Sequence, residues 1–409
     1  MSLTGNWTLA IAISAAVAAV VAVVFCWDRV SRQPWLRWPA RASMLIACQL
    51  TACLVVALFV NDQGLFYTSW SDLLGSGSGT STSQVRAGAY DRKLAKPDTV
   101  AAGRKEGLVV PVPIPDASDS RSHDALVYLP PQYFDRAYAN RAFPVFELIT
   151  GYPGTPHGWI GPLDVQQIAD EEIAAGRAVP FVAVMPNSNY VPHHDGECIN
   201  AVGGYQVETT LTVNLRRAME RDFRVSSDRS AWAVAGFSTG GFCALNIATR
   251  HPDMFAAAVS MSGYDRPYID WTTGALFGHS TAARDANDPL WRLTHLPAPN
   301  VALLLGNSRQ DATSHVVATE LAAAARPPTR VDLLTLPRGG HNFHVWVAME
   351  PVVFDWLSHI ITAPLAPGEL AEGVRPTPAP RVQVPATRTR LAQRRIATAL
   401  TPRGTRRPT

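Results

Sequence analysis

The pattern of hydrophobic and polar positions divides the 409-residue chain into four stretches of different character. Residues 2–27 carry no charge, and Trp7–Cys26 is a 20-residue apolar run. A helix rises about 1.5 Å per residue, so such a run spans about 30 Å of hydrocarbon. A second charge-free run covers residues 42–61. The pattern thus predicts two transmembrane helices, at about 7–26 and 43–60, within an anchor of residues 1–62. Residues 63–105 are polar with little periodicity and include GSGSGTSTS at 75–83, the composition of a flexible linker.

From 106 to 362 short β-like runs alternate with helical runs. The strand candidates are 108–114, 125–129, 143–149, 181–185, 231–235, 256–261, 301–305 and 331–336. The helical candidates are 163–178, 207–223, 242–250, 312–325 and 344–361. Strands joined by helical crossovers imply an α/β domain with a mostly parallel sheet covered on both faces. Functional residues in such sheets gather at the carboxyl ends of the strands. Residues 363–409 are rich in Pro, Ala, Thr and Arg with few large apolar side chains, so they are expected to stay disordered.

Charge then sets the expected topology. Between the two apolar runs, Arg29, Arg32, Arg37 and Arg41 face the single Asp28, which marks this connection as cytoplasmic. Trp27, Trp35 and Trp38 fit an interfacial belt, and everything after residue 61 is expected outside. No basic segment precedes the first run and no small-residue cleavage site follows, which favours retained helices over a cleaved signal peptide. The tail holds nine Arg against two Glu in a chain whose net charge is +3, so the remainder is slightly acidic. An outside tail of this kind suits anionic lipid or acidic wall polymers, or is simply solvated. Its Arg content raises nucleic acid as a partner, and the expected topology argues against it. The five cysteines, at 26, 48, 53, 198 and 243, contain no Cys-x-x-Cys pair, so a zinc module is not expected.

Candidate chemistry centres on AWAVAGFSTGG at 231–241. A β run, then Gly236-x-Ser238-x-Gly240, then a helix is the context of a nucleophile elbow. A serine hydroxyl is a weak nucleophile and needs a base held by a third group. In this architecture the acid and then the histidine follow later strands. Asp311 follows 301–305 and His341 follows 331–336, giving the order Ser238, Asp311, His341. His344 competes for the base, and the alternative for Asp311 is the N-cap of the helix that begins there. Asp265 and Asp270 come one strand too early. Two backbone donors are needed for the developing oxyanion: the N–H of Thr239, and that of Tyr152 in the turn after the third strand.

Together ITGYPGTPHGWIG, VETTLTVNL, GFSTGG, ATRHPDMFAAAVSMSG and GGHNFHVW resemble the putative-esterase family of α/β-hydrolases. That family includes S-formylglutathione hydrolases, enterochelin-type esterases and secreted mycolyltransferases. The resemblance covers about residues 108–361 and looks like that of a membrane-anchored actinobacterial member. It implies an α/β-hydrolase fold, a Ser238–Asp311–His341 triad, Thr239 and Tyr152 at the oxyanion, and no metal or organic cofactor. Thr150 stands where mycolyltransferases look to carry Asp in an Asp-Gly-Leu turn, and the acid follows its strand closely as in the simple esterases. The expected activity is extracytoplasmic ester hydrolysis through an acyl-enzyme. The alternatives are acyl transfer between envelope glycolipids and a non-catalytic wall-binding scaffold.

Three further features carry expectations. Cys198 and Cys243 either form a disulfide or are two buried thiols. His193, His194, Asp195 and Glu197 read as a polar rim loop rather than a metal site. Trp271 and Phe277, in an insertion after the sixth strand, either line an acyl pocket or pack.

Overall fold

The protein was analysed as a computed structural model, which describes residues 6–29, 33–64, 94, 96–116, 121–190 and 194–364. The Gly/Ser-rich stretch 75–83, His193 and residues 365–409 lie outside the described residues. The chain forms two compact units, Met1–Gly77 and Ser78–Thr409.

The first unit is a pair of helices, α1 (Asn6–Cys26) and α2 (Pro34–Gly64). Trp7–Cys26 and Trp35–Asn61 are each long and apolar enough to cross a membrane. The helices meet through Ala12 and Leu58, with Leu9 and Val55 beside them. α2 starts earlier than the charge pattern suggests, so part of the Arg-rich connection is helical. The reason is Pro34 at the first helical position, where its fixed φ suits the helix and its missing N–H costs nothing. Arg41 then reaches back, donating to Trp27 O at 3.1 Å and pairing with Asp28 at 3.2 Å.

The second unit opens with α3 (Pro97–Glu106), in residues whose polar composition reads as linker. Its ordering comes from packing: Gly103 lies against the Phe134 ring, and Arg104 Nε donates to Phe134 O at 2.9 Å. The strands that follow are β1 (Leu108–Asp116), β2 (Arg121–Leu129), β3 (Val145–Ile149), β4 (Val182–Pro186), β5 (Trp232–Phe237), β6 (Ala257–Met261), β7 (Ala302–Ser308) and β8 (Arg330–Leu336). They form one eight-stranded sheet in the order β1-β2-β4-β3-β5-β6-β7-β8. β1 and β2 pair antiparallel, β2 joins β4 antiparallel, and every later neighbour is parallel. This is the α/β-hydrolase arrangement.

The crossover helices are α4 (Val165–Ala174), α5 (Leu215–Asp222), α6 (Thr239–Arg250), α7 (Pro289–His295), α8 (Ala312–Ala324) and α9 (Phe343–Ser358). Strands β3 to β7 are buried along their whole length, as expected of a parallel sheet covered on both faces. On one face Phe146 stacks on Phe181 at 4.2 Å, and Phe354 of α9 meets Phe181 at 5.2 Å. On the other, Val145, Ile149, Trp232 and Val234 pack with Leu215, Met219 and Phe242.

Candidate active site

The site is built from the ends of β3, β5, β7 and β8, all on one edge of the parallel sheet. β5 stops at Phe237 and α6 starts at Thr239, leaving Ser238 alone between them with φ 55 and ψ −124. That left-handed backbone is rare for a residue with a side chain. The turn is closed by backbone contact. A Cβ on Gly236 would sit 2.1 Å from Gly240 O, and one on Gly240 would sit 2.1 Å from Ile149 O. Only glycine fits at either place, which explains the spacing of Gly-x-Ser-x-Gly. The helix also begins three residues earlier than its glycine-poor part suggests, because strand and elbow fix the first turn. Ser238 O accepts from the Gly241 and Phe242 N–H groups at 2.9 and 3.2 Å.

The structure brings Ser238, His341 and Asp311 together. His341 Nδ1 lies 2.8 Å from Asp311 Oδ2, and its Nε2 lies 2.8 Å from Ser238 Oγ. An ionised carboxylate only accepts, so Nδ1 carries the proton and Nε2 is free to accept from the serine hydroxyl. His341 thus makes both bonds from the loop before α9, where His344 sits one position inside the helix. Asp311 does two things at once. Its Oδ2 takes His341 while its Oδ1 caps α8 by accepting from the Ser314 N–H at 3.5 Å. Burial alone would raise its carboxyl, but the bonds from His341 and Ser314 and the His341 charge outweigh that and hold it low. Asp265 instead pairs with Arg266 at 2.7 Å, and Asp270 Oδ1 closes a turn with the Thr272 N–H at 2.7 Å.

The loops bearing Asp311 and His341 are tied to each other, which the sequence gives no sign of. The Ser308 hydroxyl at the end of β7 donates to Gly339 O, and the Gly339 N–H donates to Gln310 Oε1 at 2.8 Å. Trp346 meets the His341 ring edge-on at 5.2 Å and stacks on Phe237 at 4.5 Å.

The turn after β3 is pressed onto the serine. A Cβ on Gly151 would come within 3.0 Å of Ser238 Cβ. The turn is held by Gly154 N–H donating to Gly151 O at 2.7 Å and Asn189 Nδ2 donating to Gly154 O at 2.6 Å. Thr239 is the first residue of α6, so its N–H has no acceptor within the helix. Thr239 follows Ser238 directly, and Tyr152 follows Gly151 in the turn pressed onto it.

The remaining candidates separate. Cys198 and Cys243 are joined by a disulfide, with Cα atoms 5.6 Å apart. Asp195 and Glu197 are buried, not on a polar rim. Glu197 accepts from Tyr264 and Tyr268, partners 67 and 71 residues away, so its burial was not readable locally. The usable signal was Cys198, whose disulfide places its neighbour beside α6. Phe277 is buried and packs in the core, while Trp271 is 86% exposed. Among the described residues, no group of three or more His, Cys, Asp or Glu side chains has the placement to hold a metal ion.

The sequence profile of a family described as Putative esterase matches residues 119–356. An uncharacterized protein of Corynebacterium glutamicum is 27% identical over 274 residues, 62% of this chain and 62% of that protein. An esterase of Mycobacterium tuberculosis is 34% identical over 137 residues, 34% of this chain and 28% of the relative. The chain thus spans less than two thirds of the length of these relatives. Among solved structures, a ferulic acid esterase superposes with a TM-score of 0.53 at 22% identity, covering 63% of this chain and 98% of that one. An S-formylglutathione hydrolase from Agrobacterium tumefaciens gives 0.52 at 17% identity, covering 63% and 96%. At these identities the likeness to solved structures establishes the fold.

Proposed function

The chain belongs to the putative-esterase family and is an enzyme acting on esters; on that premise we propose that it is a membrane-anchored serine hydrolase with an extracytoplasmic catalytic domain. The observation that carries the chemistry is the unbroken pair of 2.8 Å contacts from Ser238 Oγ through His341 to Asp311.

In this mechanism Ser238 Oγ attacks the ester carbonyl carbon while His341 Nε2 takes its proton. The carbonyl oxygen becomes an oxyanion and accepts from the Thr239 and Tyr152 N–H groups, each worth about 3 kcal/mol at such a site. Collapse breaks the bond to the alkoxy oxygen, which leaves as the alcohol with the proton from His341. Asp311 holds the imidazole in the required tautomer and faces its positive charge. Water then attacks the acyl-enzyme, His341 again takes and returns a proton, and the acid is released.

Tyr268, Ile269 and Trp271 are exposed on the segment after β6, and the Tyr268 hydroxyl lies within electrostatic reach of Asp311. This favours esters with a sizeable apolar acyl or alcohol part. The two apolar helices support anchoring in a membrane, and the Arg-rich connection between them supports a cytoplasmic turn.

Full-length protein in detergent, given p-nitrophenyl esters of rising chain length, tests this. Hydrolysis is expected to improve with chain length and to be indifferent to added polyol. Faster p-nitrophenol release with an acyl-polyol product would show an acyltransferase instead. No turnover of any ester by folded protein would remove the proposal.

A further inference from the structure

One lip of the site is held by a buried carboxyl from a distant loop. Glu197 is 1% exposed. Its Oε2 accepts from the Tyr264 hydroxyl at 2.6 Å and its Oε1 accepts from the Tyr268 N–H at 3.0 Å. Tyr264 lies flat on Phe242 of α6, centroids 5.0 Å apart, and Tyr268 packs on Tyr264 at 4.5 Å. The Thr239 side chain lies within reach of the Tyr264 oxygen and acts on its hydroxyl. Glu197 is therefore linked through Tyr264 to the residue that follows the nucleophile.

The backbone at this point is held away from its own preference. Glu197 and Cys198 are both left-handed, with φ of 46 and 52. Such a conformation persists in residues with side chains only where the surroundings over-determine it, and it gathers at functional sites. Here the surroundings are the disulfide from Cys198 to Cys243 in α6 and the Glu197 N–H donating to Asp195 Oδ1 at 2.9 Å. Nothing in the triad chemistry uses this construction.

We propose that Glu197 is a positioning residue for ester turnover: through Tyr264 it fixes Thr239 at the oxyanion, and through Tyr268 it fixes the lip beside the triad. This rests on the roles given above to Ser238 and Thr239. A donor aimed at a developing charge acts only when it is in place beforehand, and small displacements are costly. Glu197 supplies that placement from outside the elbow.

The carboxyl also makes the site sensitive to pH. Burial and then the Asp195 charge raise it, the Tyr264 and Tyr268 bonds pull it back, and Asp270 adds a little, leaving it at about 8. His194 stands beside Asp195, and the Asp265–Arg266 pair and Asp311 face Tyr268 on the far side. Glu197 is therefore mostly neutral at pH 7 and ionises above about 8. A negative charge one residue from the oxyanion donor opposes the charge that develops there, so turnover falls as pH rises through that value.

The test uses full-length protein and p-nitrophenyl butyrate across the range from acid to alkaline pH. Wild-type kcat is expected to decline about threefold or more through pH 8, and Glu197→Gln to abolish that decline. Glu197→Ala and Tyr264→Phe are expected to lower kcat at pH 7 by about tenfold or more with KM moving less than about threefold. Tyr264→Phe removes one hydroxyl and keeps the ring stack, so it reports even if Glu197→Ala does not fold. Unchanged kcat in Tyr264→Phe, or an alkaline decline that survives Glu197→Gln, would overturn the inference. Fluorophosphonate labelling separates the two levels. Wild type that fails to label loses the Ser238 role itself, whereas labelled and active variants with wild-type kcat lose only the role of Glu197.

Discussion

The two sides of Ser238 are built on different principles. On the elbow side, strand, turn and helix touch backbone to backbone, and Gly236 and Gly240 leave no room for a single added carbon. On the lip side, residues 264–271 are placed by side chains: Glu197 under Tyr264 and Tyr268, with Trp271 86% exposed beyond them. The first construction fixes where Ser238 stands by direct backbone contact. The second sets what the nucleophile can reach and leaves that surface open to change. Chemistry common to a fold belongs on the first side, and substrate choice on the second.

The largest effect that sharpens this comparison comes from the base. His341→Ala is expected to lower kcat by at least about 10,000-fold with Tm nearly unchanged, since the side chain is partly exposed and its loss leaves the fold intact. Steady-state kinetics beside thermal unfolding would check it. Next is the elbow itself. Gly240→Ala drives a Cβ to 2.1 Å from Ile149 O, which backbone cannot yield, so Tm should fall by about 10 °C or more. A stable Gly240→Ala protein would show that the elbow is looser than its contacts imply.

Smaller effects separate bonded from unbonded carboxyls. Glu197 has two donors, whereas both oxygens of Glu350, buried in α9, have no hydrogen-bond partner among the described residues. Burial, with the Asp164 charge added, pushes the Glu350 carboxyl well above its usual range. The folded state then holds a proton that the unfolded chain releases above about pH 4.5, so stability falls as pH rises past that value. Glu350→Gln should remove up to about 1.4 kcal/mol per pH unit of that slope, measured by urea unfolding at several pH values. The smallest effect is at the lip. Trp271→Ala should raise KM for long or aromatic esters about threefold to tenfold while leaving kcat for acetate esters and Tm unchanged.

The same contrast explains what could be read from the sequence. The elbow was legible because backbone crowding dictates glycine at 236 and 240. The positions of Asp311 and His341 were legible because each follows a strand. The sequence offered Asp311 as either an N-cap or the partner of a histidine; it makes both contacts, because a carboxylate has two oxygens. Glu197 was not legible. In a run of His, Asp and Glu its charge suggests water, and only tertiary bonds from a segment about seventy residues away bury it. α3 was missed because its burial rests on Gly103 against Phe134. Pro at its start and Arg104 and Lys105 in its last turn were the available signals.

The most direct test of the central claim is active-site labelling of the full-length protein with a fluorophosphonate probe, followed by peptide mapping. Stoichiometric modification of Ser238 is expected, lost in Ser238→Ala and slowed at least about a hundredfold in His341→Ala. Folded wild-type protein that stays unlabelled, or that is labelled at another residue, would contradict it.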